Sequence, residues 1–210
     1  MATLFFDLDG TLVDSSPGIT RCATHALVAL DVPVPAHEEL LTWIGPPLRE
    51  SFAPHVGIAR VEDAMGLYRE RYEQVGWLEH EAYSGLGRVV EALHARGHRL
   101  IVVTAKNETH ARRIVAHLPH GRCFEDVVGA SADGRLAHKR DIVAEALRRH
   151  GLEPADCVMV GDRRMDMEGA VVHGLRGVGV LWGFGSEEEL RTAGADALAL
   201  EPADLLRLLD

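Results

Sequence analysis

Residues 3–8 read TLFFDL, an apolar run that breaks into acid at Asp7. A short apolar run without alternation suits a central parallel strand buried on both faces. Read this way, it delivers Asp7 at the carboxyl end of the first strand. Similar runs recur at residues 100–104, 126–130, 157–161 and 177–181. Between them the apolar residues follow a helical period: Val89, Val90 and Leu93 before Gly97; Ala111, Ile114, Val115 and Leu118; Ile142, Val143, Ala146 and Leu147 before Gly151. The glycines stand where helix C-caps belong. Strand and helix alternating over residues 84–210 predict an α/β fold. The expected sheet is open, mostly parallel and Rossmann-like, with helices on both faces and ligands at the strands' carboxyl ends.

The stretch 15–83 breaks this rhythm. Ile19, Cys22, Ala23, Ala26, Leu27 and Leu30, then Val61, Ala64, Met65, Tyr68, Tyr72 and Val75, repeat at helical spacing with no strand between them. Prolines at 33, 35, 46, 47 and 54 punctuate the segment. The expected organisation is an α/β core of residues 1–14 and 84–210, with residues 15–83 as a small all-helical cap inserted after the first strand. Such an insertion would cover that strand's carboxyl end.

Composition bounds the function. With 210 residues the chain is long enough to bury a core. No apolar run approaches the length of a membrane span, and MATLFFDLDG carries no basic leader, so a soluble, cytoplasmic protein is expected. Cys22, Cys123 and Cys157 are odd in number and far apart, as reduced packing residues are. A formal charge of -10, with no basic run to offset it, argues against a nucleic-acid partner. The 12 histidines are scattered, and the pairs His94/His98 and His117/His120 read as surface groups rather than zinc ligands. Trp43, Trp77 and Trp182 read as packing residues.

Two acidic motifs follow apolar runs. Asp7-Leu8-Asp9-Gly10-Thr11 leaves the first; Gly161-Asp162-Arg163-Arg164-Met165-Asp166 leaves the run at 157–160. In a parallel sheet the two motifs land side by side. Carboxylates about 4 Å apart repel by roughly 4 kcal/mol at an effective dielectric of 20, so gathering Asp7, Asp9, Asp162 and Asp166 calls for a cation. Oxygen-only ligands favour Mg²⁺ over zinc or copper. Of the 22 basic residues only Lys106 and Lys139 are lysines, the other 20 being arginine. A lysine in such a chain suggests a site wanting a compact point charge. Lys139 reads as a phosphate ligand, whereas Lys106 stays open between that role and a surface position.

The ordered set DLDGT from Asp7, Thr104 closing LIVVT, Lys139 in HKRD and GDRRMD from Asp162 resembles the haloacid dehalogenase superfamily phosphatases with a small helical cap. WIGPPLRESF at 43–52 and GVLWGFG at 179–185 look like its phosphoglycolate phosphatase and 5'-nucleotidase branch. The resemblance covers essentially the whole chain. It implies Asp7 as nucleophile, Asp9 as general acid and base, and Mg²⁺ held by Asp7, the Asp9 carbonyl and Asp162, with Asp166 supporting from outside. It also implies phosphate binding by Thr104, Ala105 and Lys139. Ala105 departs from the Ser or Asn common in relatives, but its amide can still bind phosphate. Arg49 is the candidate cap contact to a small phosphorylated metabolite. The chemistry implied is hydrolysis of a phosphate monoester through an aspartyl phosphate. A phosphomutase shares these parts and stays open, as does a non-enzymatic phosphoacceptor. Asp9 argues against dehalogenation, which has no use for the second acid.

Overall fold

A computed structural model describes residues 1–131 and 133–210, and the chain divides into two compact units, 1–13 with 82–210 and 14–81.

The first unit is a six-stranded parallel sheet. The strands are β1 (Thr3–Phe6), β4 (Arg99–Asn107), β5 (Asp126–Ala130), β6 (Cys157–Gly161), β7 (Arg176–Val180) and β8 (Ala197–Ala199), in spatial order β5-β4-β1-β6-β7-β8. The short strands β2 (Val13–Asp14) and β3 (Glu81–Ala82) form a two-stranded sheet of their own. β1 is central because every residue of it is apolar or small and fully buried. It pairs with β4 on one side, Phe6 opposite Val102, and with β6 on the other, Phe6 opposite Val160. From β1 the order runs outward through β4 to β5, and then restarts at β6 on the opposite side. The reversal between β1 and β6 is the switch point at which open α/β sheets bind ligands.

The helices of this unit are α5 (Leu86–Ala95), α6 (Glu108–His117), α7 (Lys139–His150), α8 (Arg164–His173), α9 (Glu187–Thr192) and α10 (Leu205–Leu208). Local chemistry sets their ends. Asn107 caps α6 by accepting from the Thr109 and His110 amides, and Gly151 and Gly174 close α7 and α8 in the left-handed conformation. Ile142, Val143 and Ala146 of α7 and Ala170 of α8 bury against Phe5, Ile101, Val103 and Met159 of the sheet.

The second unit is helical, with α1 (Ser16–Ala29), α2 (His37–Leu41), α3 (Leu48–Val56) and α4 (Val61–Gln74). Its core is the buried face of α1, Cys22, Ala23, Ala26 and Leu27, with an aromatic ladder: Trp43 edge-on to Phe52 at 5.0 Å, Phe52 to Tyr68 at 6.3 Å, and Tyr68 stacked on Tyr72 at 5.7 Å.

Two sequence expectations are corrected here. β8, which was not expected, is three residues of ALA, too short and too weakly β-forming to announce itself. His98 and His120 are buried rather than surface groups. The Nδ1 of His98 accepts from the Ala2 amide at 3.3 Å, and the ring of His120 lies against Phe124, where burial lowers its pKa. All three cysteines are free and buried. Among the described residues no helix is long and apolar enough to cross a membrane.

Candidate active site

Asp7 is the first residue past β1, and its amide donates to Val160 O of β6 at 2.9 Å, fastening the acidic turn to the switch point. The turn then doubles back, with Gly10 donating to Val13 O at 2.8 Å and both Leu12 and Val13 donating to Leu8 O. Gly10 sits at φ +81°, and a Cβ there would fall 2.1 Å from Asp162 Oδ2. Glycine is required for both reasons.

Asp162, the residue after β6, is completely buried. Its Oδ1 accepts from the Thr11 hydroxyl at 3.1 Å and its Oδ2 from the Phe184 amide at 2.8 Å. Trp182 Nε1 donates to Thr11 O at 3.1 Å and so braces the hydroxyl's own residue. Asp166 Oδ2 accepts from the Arg163 amide at 3.0 Å, capping α8, while its Oδ1 lies 2.7 Å from Lys139 Nζ. The same ammonium is 2.8 Å from Asp7 Oδ1 and donates to Val103 O at 2.9 Å. Asp7, Asp162 and Asp166 therefore present carboxylate oxygens within 4.8 Å of one another, all buried, with Lys139 among them.

The electrostatics follow from that crowding. Burial first, then Asp166 and Asp7, push the Asp162 carboxyl well above the ordinary range. Burial also drives Asp166 up, to about 6, against the pull of Lys139, and Asp7 adds to the rise. Burial alone would lower the Lys139 pKa, but Asp166 and Asp7 outweigh it and hold the group above the usual lysine value. One ammonium cannot balance three carboxylates. The donor set is all oxygen, and each oxygen of Asp162 and Asp166 makes one contact and keeps a second acceptor position. The residues therefore fit a small hard dication.

The remaining expected residues fall in three places. Thr104 is buried on β4 and its Oγ1 accepts from the Lys106 amide at 3.2 Å; Ala105 follows where the β4–β5 register shifts. Lys106, which the sequence left open, is not a plain surface residue: its Nζ donates to Asp9 Oδ1 at 2.9 Å and Oδ2 at 2.8 Å. Arg49 lies in the helical unit, exposed, in a two-point ion pair with Glu62 at 2.7 and 3.1 Å.

A model of the haloacid dehalogenase-like hydrolase family matches residues 4–180. The chain belongs to that family. Among haloacid dehalogenase-like relatives, a 5'-nucleotidase from Pseudomonas aeruginosa is 38% identical over 209 residues, covering 99% of this chain and 95% of that protein. A tyrosine-protein kinase, PtkA, from Mycobacterium tuberculosis is 40% identical over 183 residues, covering 87% of this chain; the match spans only 62% of the kinase's length. A solved haloacid dehalogenase-like hydrolase from Streptococcus pneumoniae superposes with a TM-score of 0.95 at 31% identity, covering 100% of this chain and 99% of that one.

Sequence reasoning missed the support around Asp162: Thr11, Trp182 and the Phe184 amide. The signal available was the run WGFG at 182–185, where glycines flank an aromatic with no helix or strand to explain them. A Cβ on Gly183 would lie 2.4 Å from Asp162 Cβ and from Gly10 O. Gly183→Ala should therefore lift the loop and strand Asp162 Oδ2 without its donor. The expected loss is about 2–4 kcal/mol of unfolding free energy, from overpacking plus an unmade buried hydrogen bond. Urea unfolding checks it, and an unchanged midpoint would mean that the loop does not bear on Asp162.

Proposed function

We propose that this hydrolase removes phosphate from a small monoester in a Mg²⁺-dependent reaction, with Asp7 as nucleophile and Asp9 as acid and base. Its class, a phosphoric monoester hydrolase, is that of its family. The observation that carries the reading is the buried cluster of three carboxylates around one lysine at the sheet's switch point, a crowding of charge that favours a further cation.

In this reading Asp7 attacks phosphorus, the bond to the leaving oxygen breaks, and Asp9 gives that oxygen a proton. Asp9 then takes a proton from water. The resulting hydroxide attacks phosphorus, and the Asp7–phosphorus bond breaks with its electron pair returning to the carboxylate. Lys139, the Thr104 hydroxyl and the Ala105 amide bind the non-bridging phosphoryl oxygens, so that charge is met by fixed donors rather than by reorganising water. Asp7, the Asp9 carbonyl and Asp162 would hold Mg²⁺, which would supply charge neutralisation on the phosphoryl group. Asp166 acts through Lys139 and the α8 cap, which its two oxygens contact. Substrate candidates are phosphoglycolate, nucleoside 5'-monophosphates and similar small esters, with Arg49 a contact to the rest of the molecule if it gives up Glu62. The three free cysteines favour a reducing compartment such as the cytosol.

The kinase-named relative favours a second reading, in which the phosphoryl group on Asp7 passes to an acceptor other than water. One experiment addresses both: phosphate release from phosphoglycolate, 5'-mononucleotides, sugar phosphates and pyrophosphate, with Mg²⁺ and with a chelator. Release that disappears with the chelator is the expected result. Substrate consumed without free phosphate would favour transfer, and no consumption at all would sink both readings.

A further inference from the structure

Lys106 has no part in the phosphate cradle above, yet it is one of only two lysines in the chain and its side chain is 8% exposed. Its ammonium donates to both oxygens of Asp9, at 2.9 and 2.8 Å, and Asp9 itself is 17% exposed. The backbone that carries it is fixed on both sides. The Lys106 amide donates to Thr104 Oγ1 at 3.2 Å, and the next residue, Asn107, is pinned as the α6 N-cap by the Thr109 and His110 amides. The β4–β5 register shift between Thr104 and Asn107 is what turns this short segment out of the ladder.

A carboxylate offers about four acceptor positions, and an ammonium spanning its two oxygens uses one on each. The other position on each oxygen stays open, and the ammonium determines where those positions point. Asp9 otherwise belongs to a tight turn between two hydrogen-bonded backbone segments, and among the described residues Lys106 is the side chain that meets its carboxylate. Without Lys106 its side-chain torsions would be free to move among staggered positions. A general base misaimed by one rotamer is no longer within reach of the water it must deprotonate.

We propose that Lys106 is the positioning residue for Asp9 in the second half of the reaction, aiming the carboxylate at the water that hydrolyses the phosphoryl group on Asp7. This rests on the role assigned to Asp9 above. No bond is made or broken by Lys106: the water proton goes to Asp9, the hydroxide to phosphorus, and the electron pair of the cleaved bond to Asp7. The consequence is specific, because losing Lys106 slows removal of phosphate from Asp7 while leaving its arrival nearly intact for an ester whose leaving group departs without a proton.

The test uses nitrophenyl phosphate with the wild-type chain, Lys106→Met, Lys106→Arg, Asp9→Asn and the Lys106→Met/Asp9→Asn double variant, with Mg²⁺ present. Wild-type turnover establishes the hydrolase reading independently, and its absence would count against that reading alone. Lys106→Met is expected to give a burst of nitrophenolate close to one per active site, then a steady rate about 10²-fold lower, at the low end of what a base contributes. KM should fall with kcat, as it does when an intermediate accumulates. Lys106→Arg should restore most of the rate, and adding Lys106→Met to Asp9→Asn should change it by less than about threefold, since both act through one group. A raised KM with kcat intact, or a full further loss in the double variant, would overturn the proposal and make Lys106 a phosphate contact. A crystal structure of Lys106→Met needs no turnover: Asp9 in several rotamers is expected, and an unmoved, well-ordered Asp9 would also overturn it.

Discussion

Lys139→Met should remove turnover and much of the fold's stability together. Its Nζ lies 2.8 Å from Asp7 Oδ1 and 2.7 Å from Asp166 Oδ1, and both acids it would leave behind are buried. Deleting one partner of a buried ion pair typically costs about 3–5 kcal/mol, because the other charge is stranded. Here two are stranded, with Asp162 beside them. Loss of a phosphoryl-binding cation should reduce kcat by at least about 10³-fold. Charge and packing can be separated by pH. The Asp162 and Asp166 carboxyls are already raised, Asp166 to about 6, and removing the ammonium pushes them further up. A group whose folded pKa exceeds its unfolded one contributes stability below the unfolded value and loses it as pH rises through the folded value. The variant's deficit in metal-free urea unfolding should therefore be large at pH 8 and shrink toward pH 5. An equal deficit at both would mean that lost side-chain volume, and not charge, is responsible.

The same cluster shows where sequence reading succeeds and where it stops. β1, β4, β5, β6 and β7 were legible because each carries a continuous run of buried apolar or small residues, as strands of a parallel sheet covered on both faces do. β8 was not, since an edge strand of three residues has no such obligation. The meeting of Asp7 with Asp162 was legible because both follow strands, and parallel neighbours bring their carboxyl ends together. What holds Asp162 was not. Thr11 and Phe184 are distant in sequence, and the Phe184 contact is made by a backbone amide, which carries no residue signature. Lys106 sits between these cases. Its scarcity in an arginine-rich chain was visible, but its partner was not, because the β4–β5 register shift that redirects it leaves no periodic trace. Arg49 shows another limit, since nothing in PPLRESF announces that a glutamate 13 residues on, across α3 and α4, meets its guanidinium in two-point geometry.

Asp7→Asn should have effects of opposite sign on activity and on metal-free stability. Loss of a covalent nucleophile lowers kcat by about 10⁶-fold in other enzymes, and the same scale is expected here for every ester in the panel. Stability should go the other way. Asp7 contributes to the upward shifts of both Asp162 and Asp166, so its carboxylate and theirs repel one another. Asparagine keeps the shape and an acceptor oxygen for Lys139, which retains Asp166 and Val103 O as partners, while the repulsion disappears. Relief of about 1 kcal/mol at pH 8 should raise the metal-free melting temperature by about 2–4 °C in a chain of this size. The gain should vanish near pH 5, where Asp166 has taken up a proton, and in saturating Mg²⁺, where the wild-type acids are neutralised and the ordering should reverse. A variant less stable than the wild type at pH 8 without metal would mean that Lys139 already balances the cluster. The repulsion is then not held in reserve for the reaction, and a principal reason for expecting a cation at this site falls with it.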